Sequence, residues 1–128
     1  MLLFVYNVYE LKYYIFIERN ILKTVNTMKI DDIVKTLKEN VTINNNDSRQ
    51  IIKNKNNVEY GNEIGIVLSS IDNSIFEVFI HAKINNEIIS QLLYSTFNDI
   101  DEAVIYYNKL EKYITDFNLE GIANEIKN

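Results

Sequence analysis

The chain of 128 residues has no cysteine, no proline and no tryptophan, three glycines and one histidine. The lack of cysteine excludes a disulfide framework, a thiolate nucleophile and cysteine-based zinc sites. Gly61, Gly65 and Gly121 are too scattered to form a glycine-rich loop that cradles phosphate. Because glycine and proline are so scarce, we expect Asn, Asp and Ser to build the turns, since their short side chains bond their own backbone.

The net charge of −5 is distributed unevenly along the chain. Residues 1–62 carry nine Lys or Arg against seven Asp or Glu, a net charge of +2, and residues 63–128 carry four against eleven, a net charge of −7. Nucleic acid and anionic membranes both attract positive charge. The composition therefore argues against nonspecific binding to either, and it places the acidic surface in the C-terminal half.

Residues 1–27 are strongly apolar but contain Glu10 and Lys12 within their longest apolar run. A membrane-spanning helix needs about 20 residues with few or no charges, and a signal peptide needs a cleavage site that is missing here. We therefore predict no transmembrane segment and a cytoplasmic protein. Residues 1–27 are predicted to be a helical or disordered extension that offers a contact for a homo-oligomer, or a misassigned leader if translation starts at Met28 rather than Met1. Residues 28–128 form the predicted single α+β domain.

Hydrophobic periodicity predicts a helix over residues 29–40. A long polar loop follows from Thr42 to Asn62, with room for one irregular strand. After the loop, the sequence predicts a meander of three antiparallel strands. The strands are predicted at Ile64–Ile71, Ile75–Ile84 and Ile88–Phe97. In the middle strand the even positions from Phe76 to Ile84 are apolar, whereas Glu77, His81 and Lys83 should face solvent.

A long helix is predicted after Asp99, which suits the N-cap position and is followed by Glu102 in a capping-box arrangement. Its apolar positions, including Tyr107, form one stripe that should pack on the apolar face of the sheet, and Tyr106 should be exposed. Asn118 should cap a last short helix, Leu119–Ile126. The prediction is a small single-domain α+β fold: helix, three-stranded antiparallel meander, and a long C-terminal helix on one sheet face.

No combination of residues indicates catalysis. His81 is the one histidine, and no nucleophile motif surrounds it. Asp99, Asp101 and Glu102 cluster at a predicted helix start, where capping and the helix dipole already explain them. We therefore predict a protein that is not an enzyme and has no catalytic residues, no metal and no cofactor.

The order of helix, three strands and helix is similar to that of the double-stranded RNA-binding domain. That family holds phosphates with lysines at the start of its second helix, where this chain has Asp99, Asp101 and Glu102. The remaining hypothesis for nucleic-acid binding is a contact through Arg49, Lys53 and Lys55 in the polar loop.

The segment Met28–Lys35, the acidic total and the order of elements resemble the small acidic α+β proteins with which bacteriophages and plasmids block host defence, including inhibitors of CRISPR effectors. The resemblance implies a non-catalytic inhibitor in the host cytoplasm that binds a protein, for example a defence nuclease. An acidic surface favours a basic partner. The residues predicted to bind it are Glu77, Glu87, Asp101, Glu102, Glu111 and Asp116.

Overall fold

The computed structural model describes residues 29–44 and 48–128, so the predicted extension over residues 1–27 lies outside the described residues. In these ranges the chain contains three helices and one antiparallel sheet of four strands. Residues Ile33–Asn128 cluster into one unit. The α+β class is confirmed, whereas the sheet has one strand more than predicted.

Helix α1 (Ile30–Glu39) lies where the apolar spacing predicts it. Asp31 and Asp32 stand in its first turn, where carboxylates favour the positive end of the helix dipole. Ile33 and Leu37, one turn apart on the same side, are buried.

The polar segment from Thr42 to Asn62, for which the sequence left open one irregular strand, contains strand β1 (Arg49–Glu59) at the edge of the sheet. No residue of β1 is fully buried, so the strand lacks the alternation of buried and exposed positions that would reveal it in the sequence. It is extended because it pairs along its whole length with the apolar strand β2 (Asn62–Ile71).

Strands β3 (Ile75–Ile84) and β4 (Glu87–Phe97) complete the sheet in the order β1-β2-β3-β4. The three predicted strands are therefore confirmed, each within two residues of its bounds. The pairing of β4 with β3 shifts register twice, and Gln91 and Leu93 of β4 adopt φ values of 59° and 51°. β4 is thus a bulged edge strand.

The turns of the sheet use left-handed backbone, which Asn and Asp tolerate in place of glycine. Two-residue turns join β1 to β2 through Tyr60-Gly61 and β3 to β4 through Asn85-Asn86, and all four residues have positive φ. This geometry is the type I′ turn that matches strand twist. Asp72 and Asn73 adopt positive φ between β2 and β3. Asn and Asp therefore supply the left-handed residues of two of the three turns between strands as expected, whereas the first turn uses Tyr60 and Gly61.

Helix α2 (Ile100–Thr115) packs mainly against β2 and β3, and helix α3 (Leu119–Lys127) follows it. Asp99 caps α2 as predicted, although its carboxylate accepts from the amide of Asp101 and not from that of Glu102. Asn118 caps α3. The core that α2 forms with the sheet is fully buried and includes Val78, Ile80, Tyr107, Leu110 and Ile114.

Two predictions of exposure are wrong. Tyr106 is half-buried, because its hydroxyl donates to the Leu93 carbonyl at 2.9 Å. The face of β3 opposite the α2 core is not uniformly exposed: Lys83 is exposed and His81 is half-buried, but Glu77 has no exposed surface. Glu77 is therefore part of the interior.

Candidate interaction surface and the buried ion pair

Three carboxylates stand together at the start of α2. Asp99, Asp101 and Glu102 are all exposed, and none of them has an ion-pair partner among the described residues. Asp99 accepts a backbone hydrogen bond at 2.9 Å, which fixes its position without neutralising its charge. We call these three residues the acidic cluster.

An exposed apolar side chain lies beside the acidic cluster. Ile105 is 70% exposed and follows Asp101 by four positions and Glu102 by three. Side chains at these spacings are neighbours on a helix surface. The start of α2 therefore offers solvent an isoleucine bordered by carboxylates.

The other predicted acidic residues are dispersed over the fold. Glu87, at the start of β4, forms an ion pair with Lys38 of α1. Glu111 is half-buried, and Asp116 is exposed at the C-cap of α2. Since Glu102 and Glu111 are nine positions apart, they point to opposite sides of the helix. Of the predicted set, the structure brings together Asp101 and Glu102, which are adjacent.

Most carboxylates in the C-terminal half have no neighbouring cation. Lys109 lies 3.7 Å from the Glu125 carboxylate, and the Lys112 ammonium lies over the Tyr113 ring at 5.2 Å. Both lysines are therefore drawn towards groups of the protein itself. The carboxylates of residues 63–128 without an ion pair to a described residue are Glu63, Asp72, Asp99, Asp101, Glu102, Glu111, Asp116 and Glu120.

The three cations predicted to contact nucleic acid lie on β1 and contact the protein itself. Arg49 forms an ion pair with buried Glu77. The Lys53 ammonium lies over the ring of Tyr107 at 4.9 Å from the ring centroid. Lys55 donates to the side-chain oxygen of Thr115 at 2.8 Å. These cations therefore belong to a strand that is held against the fold.

The hydrogen bonds around the Arg49–Glu77 pair connect all four strands. The Arg49 side chain is 22% exposed, and the Glu77 side chain has no exposed surface. Glu77 accepts hydrogen bonds from Arg49 Nε, from Arg49 Nη2 at 3.3 Å, from Ser69 Oγ at 2.7 Å and from Tyr94 Oη at 2.5 Å. The buried carboxylate is thus bonded to donors from β1, β2 and β4.

The chain before β1 extends this network along the edge of β4. The Asn44 side chain donates to the Tyr94 hydroxyl at 2.8 Å, and the backbone carbonyl of Asn44 accepts from Arg49 Nη2 and from Gln91 Nε2. The amide of Thr42 donates to the Gln91 carbonyl at 3.1 Å. These contacts attach residues 42–44 to β4 and place a backbone segment beside that edge.

The donors around Glu77 determine its protonation. Burial alone would raise the pKa of the Glu77 carboxyl, but hydrogen bonds from Arg49, Tyr94 and Ser69 and the charge of Arg49 together hold the pKa below its ordinary value. Burial, followed by the hydrogen bond to Glu77, raises the pKa of Tyr94 to about 12. Glu77 is therefore an anion and Tyr94 a neutral donor at neutral pH, which is the charge state of a structural ion pair.

His81 lies near Gly65 and Asn56 on the same face of the sheet as Glu77. Burial lowers the pKa of His81, and the charge of Glu63 partly opposes that effect. Across residues 29–44 and 48–128 there is no group of three or more His, Asp or Glu side chains placed to hold a metal ion.

Comparison of the chain with protein-family models, curated proteins and solved structures finds no match. In the described ranges, no helix combines the length and apolar character needed to cross a membrane. The contacts and charges of the chain's own residues are therefore the basis for inferring its function.

Proposed function

We propose that the protein is a non-catalytic, cytoplasmic protein-binding protein whose partner is basic. The observation that carries the proposal is the acidic cluster, three exposed carboxylates without a cation at the start of α2. Uncompensated surface charge steers a partner of opposite sign and selects against partners of the same sign. Glu77 takes no part, because its carboxylate is buried.

The exposed Ile105 favours a protein partner over a small cation. Specific protein interfaces combine an apolar centre with a polar rim, and large side chains at the centre supply much of the binding energy. Ile105 beside the acidic cluster has this arrangement on a small scale. A cation alone would gain nothing from an adjacent isoleucine.

The finer form of the proposal is an inhibitor that a phage or another mobile element uses against a host defence nuclease. Support for it is the resemblance in size, acidity and order of elements. A nuclease is a plausible basic partner because its substrate channel must attract phosphate. In that case the place of action is the cytoplasm of the host cell.

The alternative, binding of nucleic acid through Arg49, Lys53 and Lys55, has weaker support. Each of these cations contacts a carboxylate, an aromatic ring or a hydroxyl of the chain. A phosphate would have to replace those contacts, and the excess of carboxylates elsewhere would oppose its approach.

The test uses three tagged full-length proteins as baits in bacterial lysate, each with and without nuclease treatment: wild type, Asp101→Lys/Glu102→Lys, and a matched control. The control is Asp31→Lys/Asp32→Lys, which reverses the adjacent acidic pair in the first turn of α1. It changes the net charge by the same amount and places the same unfavourable cations at a helix N-terminus. We expect a basic protein that wild type and control retain and the Asp101/Glu102 variant loses.

Binding of the captured protein is then measured with purified components at two salt concentrations. Reversing two contacting charges should weaken binding about tenfold or more at low salt and by less at high salt. Equal capture of the basic protein by all three baits would refute the proposal. A partner lost on nuclease treatment would favour nucleic-acid binding instead.

A further inference from the structure

The two edges of the sheet differ in what lies beside them. Residues 42–44 run along β4, and the Thr42–Gln91 backbone bond and two bulges interrupt that edge. Apart from its pairing with β2, β1 forms no backbone–backbone hydrogen bond with any other described element. An uncovered edge strand is a template for pairing with another strand.

The turn between β1 and β2 determines which backbone groups of β1 face outward. Glu59 and Asn62 close a two-residue turn and therefore form a hydrogen-bonded pair, and such pairs alternate with non-bonded ones along an antiparallel ladder. Asn57 then bonds to β2, whereas Asn54, Asn56 and Val58 direct their N–H and C=O groups away from it. The bulge at Ile52 ends this regular stretch.

We propose that β1 pairs antiparallel with β1 of a second copy of this chain, with the two-fold axis at Asn56. Asn56 then faces Asn56 of the second copy, and Asn54 faces Val58. These three pairs exchange two backbone hydrogen bonds each, giving about six in all. The two sheets become one continuous sheet of eight strands. The β1 edge of each copy is then paired, and β4 forms the two outer edges.

Charge selects this register. With the axis at Asn56, Lys53 of each copy lies opposite Glu59 of the other, and both are exposed. With the axis at Asn54, Lys53 would lie opposite Lys55, and like charges directly opposite each other destabilise a sheet. The Asn56 register therefore contains two attractive pairs, one at each end of the paired segment.

Exposed apolar side chains lie at both ends of the paired segment. Ile52 and Tyr60 flank the paired segment and are 50% and 88% exposed. Ile52 lies at the bulge and Tyr60 in the turn, so the two residues border the regular segment at its two ends and are not a ladder pair. Pairing two copies brings a second chain close to this exposed apolar surface.

The lysines of β1 do not prevent this association. Lysine on an edge strand commonly blocks pairing when its ammonium projects past the edge. Here the Lys53 ammonium lies over the Tyr107 ring, and Lys55 donates to Thr115, so both turn towards α2 on one face of the sheet. Asn54 and Asn56, on either side of Lys55, are exposed.

The test is a charge swap on the full-length chain, followed by sedimentation velocity over a concentration series. Glu59→Lys and Lys53→Glu each replace two opposite-charge pairs by like-charge pairs and should weaken the dimer about tenfold. The double variant Lys53→Glu/Glu59→Lys restores opposite charges and should recover the wild-type dissociation constant. Glu39→Lys, the same change of charge at the exposed end of α1, should have no effect.

Hydrogen exchange at two protein concentrations reports the interface directly. The amides of Asn54, Asn56 and Val58 should exchange more slowly at high concentration, and that of Asn57 should not change. A monomer at all concentrations would overturn the proposal. A dimer that all the charge variants leave unchanged would also overturn it and would favour association through residues 1–27. If thermal melts show that every variant is folded and the double variant still does not recover the wild-type dissociation constant, the Asn56 register would be overturned.

Discussion

Replacing Arg49 by methionine removes the cation that neutralises a carboxylate with no exposed surface. Breaking a buried ion pair by removing one partner typically costs about 3–5 kcal/mol, because the remaining charge stays buried. Glu77 would keep its hydrogen bonds from Ser69 and Tyr94, and the site is not fully closed, since Arg49 is 22% exposed. We therefore expect a loss near the lower end, about 3 kcal/mol.

A second substitution distinguishes the buried charge from lost packing. Glu77→Gln in the Arg49→Met background removes the unpaired charge and keeps the shape of the side chain. The double variant should therefore be more stable than Arg49→Met, by about 1–2 kcal/mol. The assay is urea unfolding at pH 7, followed by circular dichroism. A loss below about 1 kcal/mol for Arg49→Met, or a double variant less stable than the single one, would refute the reasoning.

The dependence on pH provides a further check. In the wild type the pKa of Glu77 lies below its ordinary value, so the pair stabilises the fold at pH values above the unfolded-state pKa, and this contribution is lost as the pH falls through the folded-state pKa. In Arg49→Met, burial is no longer opposed by a cation, and the pKa of Glu77 should rise. Protonation then relieves the buried charge. The difference in stability between wild type and variant should shrink between pH 7 and pH 4.5.

Three further predictions concern local structure, and each is measured by urea unfolding. Gly65→Ala places a Cβ against the Asn56 amide oxygen and the His81 ring and should cost about 1 kcal/mol, because both side chains must move. Asn86→Gly should stabilise the protein slightly and Asn86→Ala should destabilise it by about 1 kcal/mol, because φ is 66° there. Asp99→Ala removes the N-cap of α2 and should cost about 1 kcal/mol, whereas Asn98→Ala should not.

The helices and strands β2, β3 and β4 are predictable because the periodic spacing of apolar residues within each segment indicates its structure. The stripe that includes Tyr107 and Leu110 fixes one face of α2, and Asp99 marks its start. Asn85-Asn86 marks a turn because these residues tolerate left-handed backbone. For such segments, neighbouring residues in the sequence supply most of the information.

Strand β1 and the bulges of β4 are not predictable in this way, because pairing with another strand determines them. β1 alternates neither in polarity nor in burial, and its extended form results from the apolar partner strand. The acidic cluster at the start of α2 is visible in the sequence, since Asp99, Asp101 and Glu102 lie within four consecutive positions. Whether these carboxylates form ion pairs depends on the positions of lysines that are distant in the sequence, and only the structure gives those positions.

The burial of Glu77 shows why alternation predicts a face of a strand but not the environment of each position on it. Glu77 and Lys83 share one face of β3, yet Glu77 is buried and Lys83 is exposed. A buried carboxylate requires a cation and further donors, since its desolvation otherwise costs several kcal/mol. Ser69 lies directly opposite Glu77 on β2, and the cation comes from the far end of β1, two residues before the position opposite Ser69. The polar strand that looks like a loop is therefore the element that makes the apolar sheet compatible with an acidic residue in its interior.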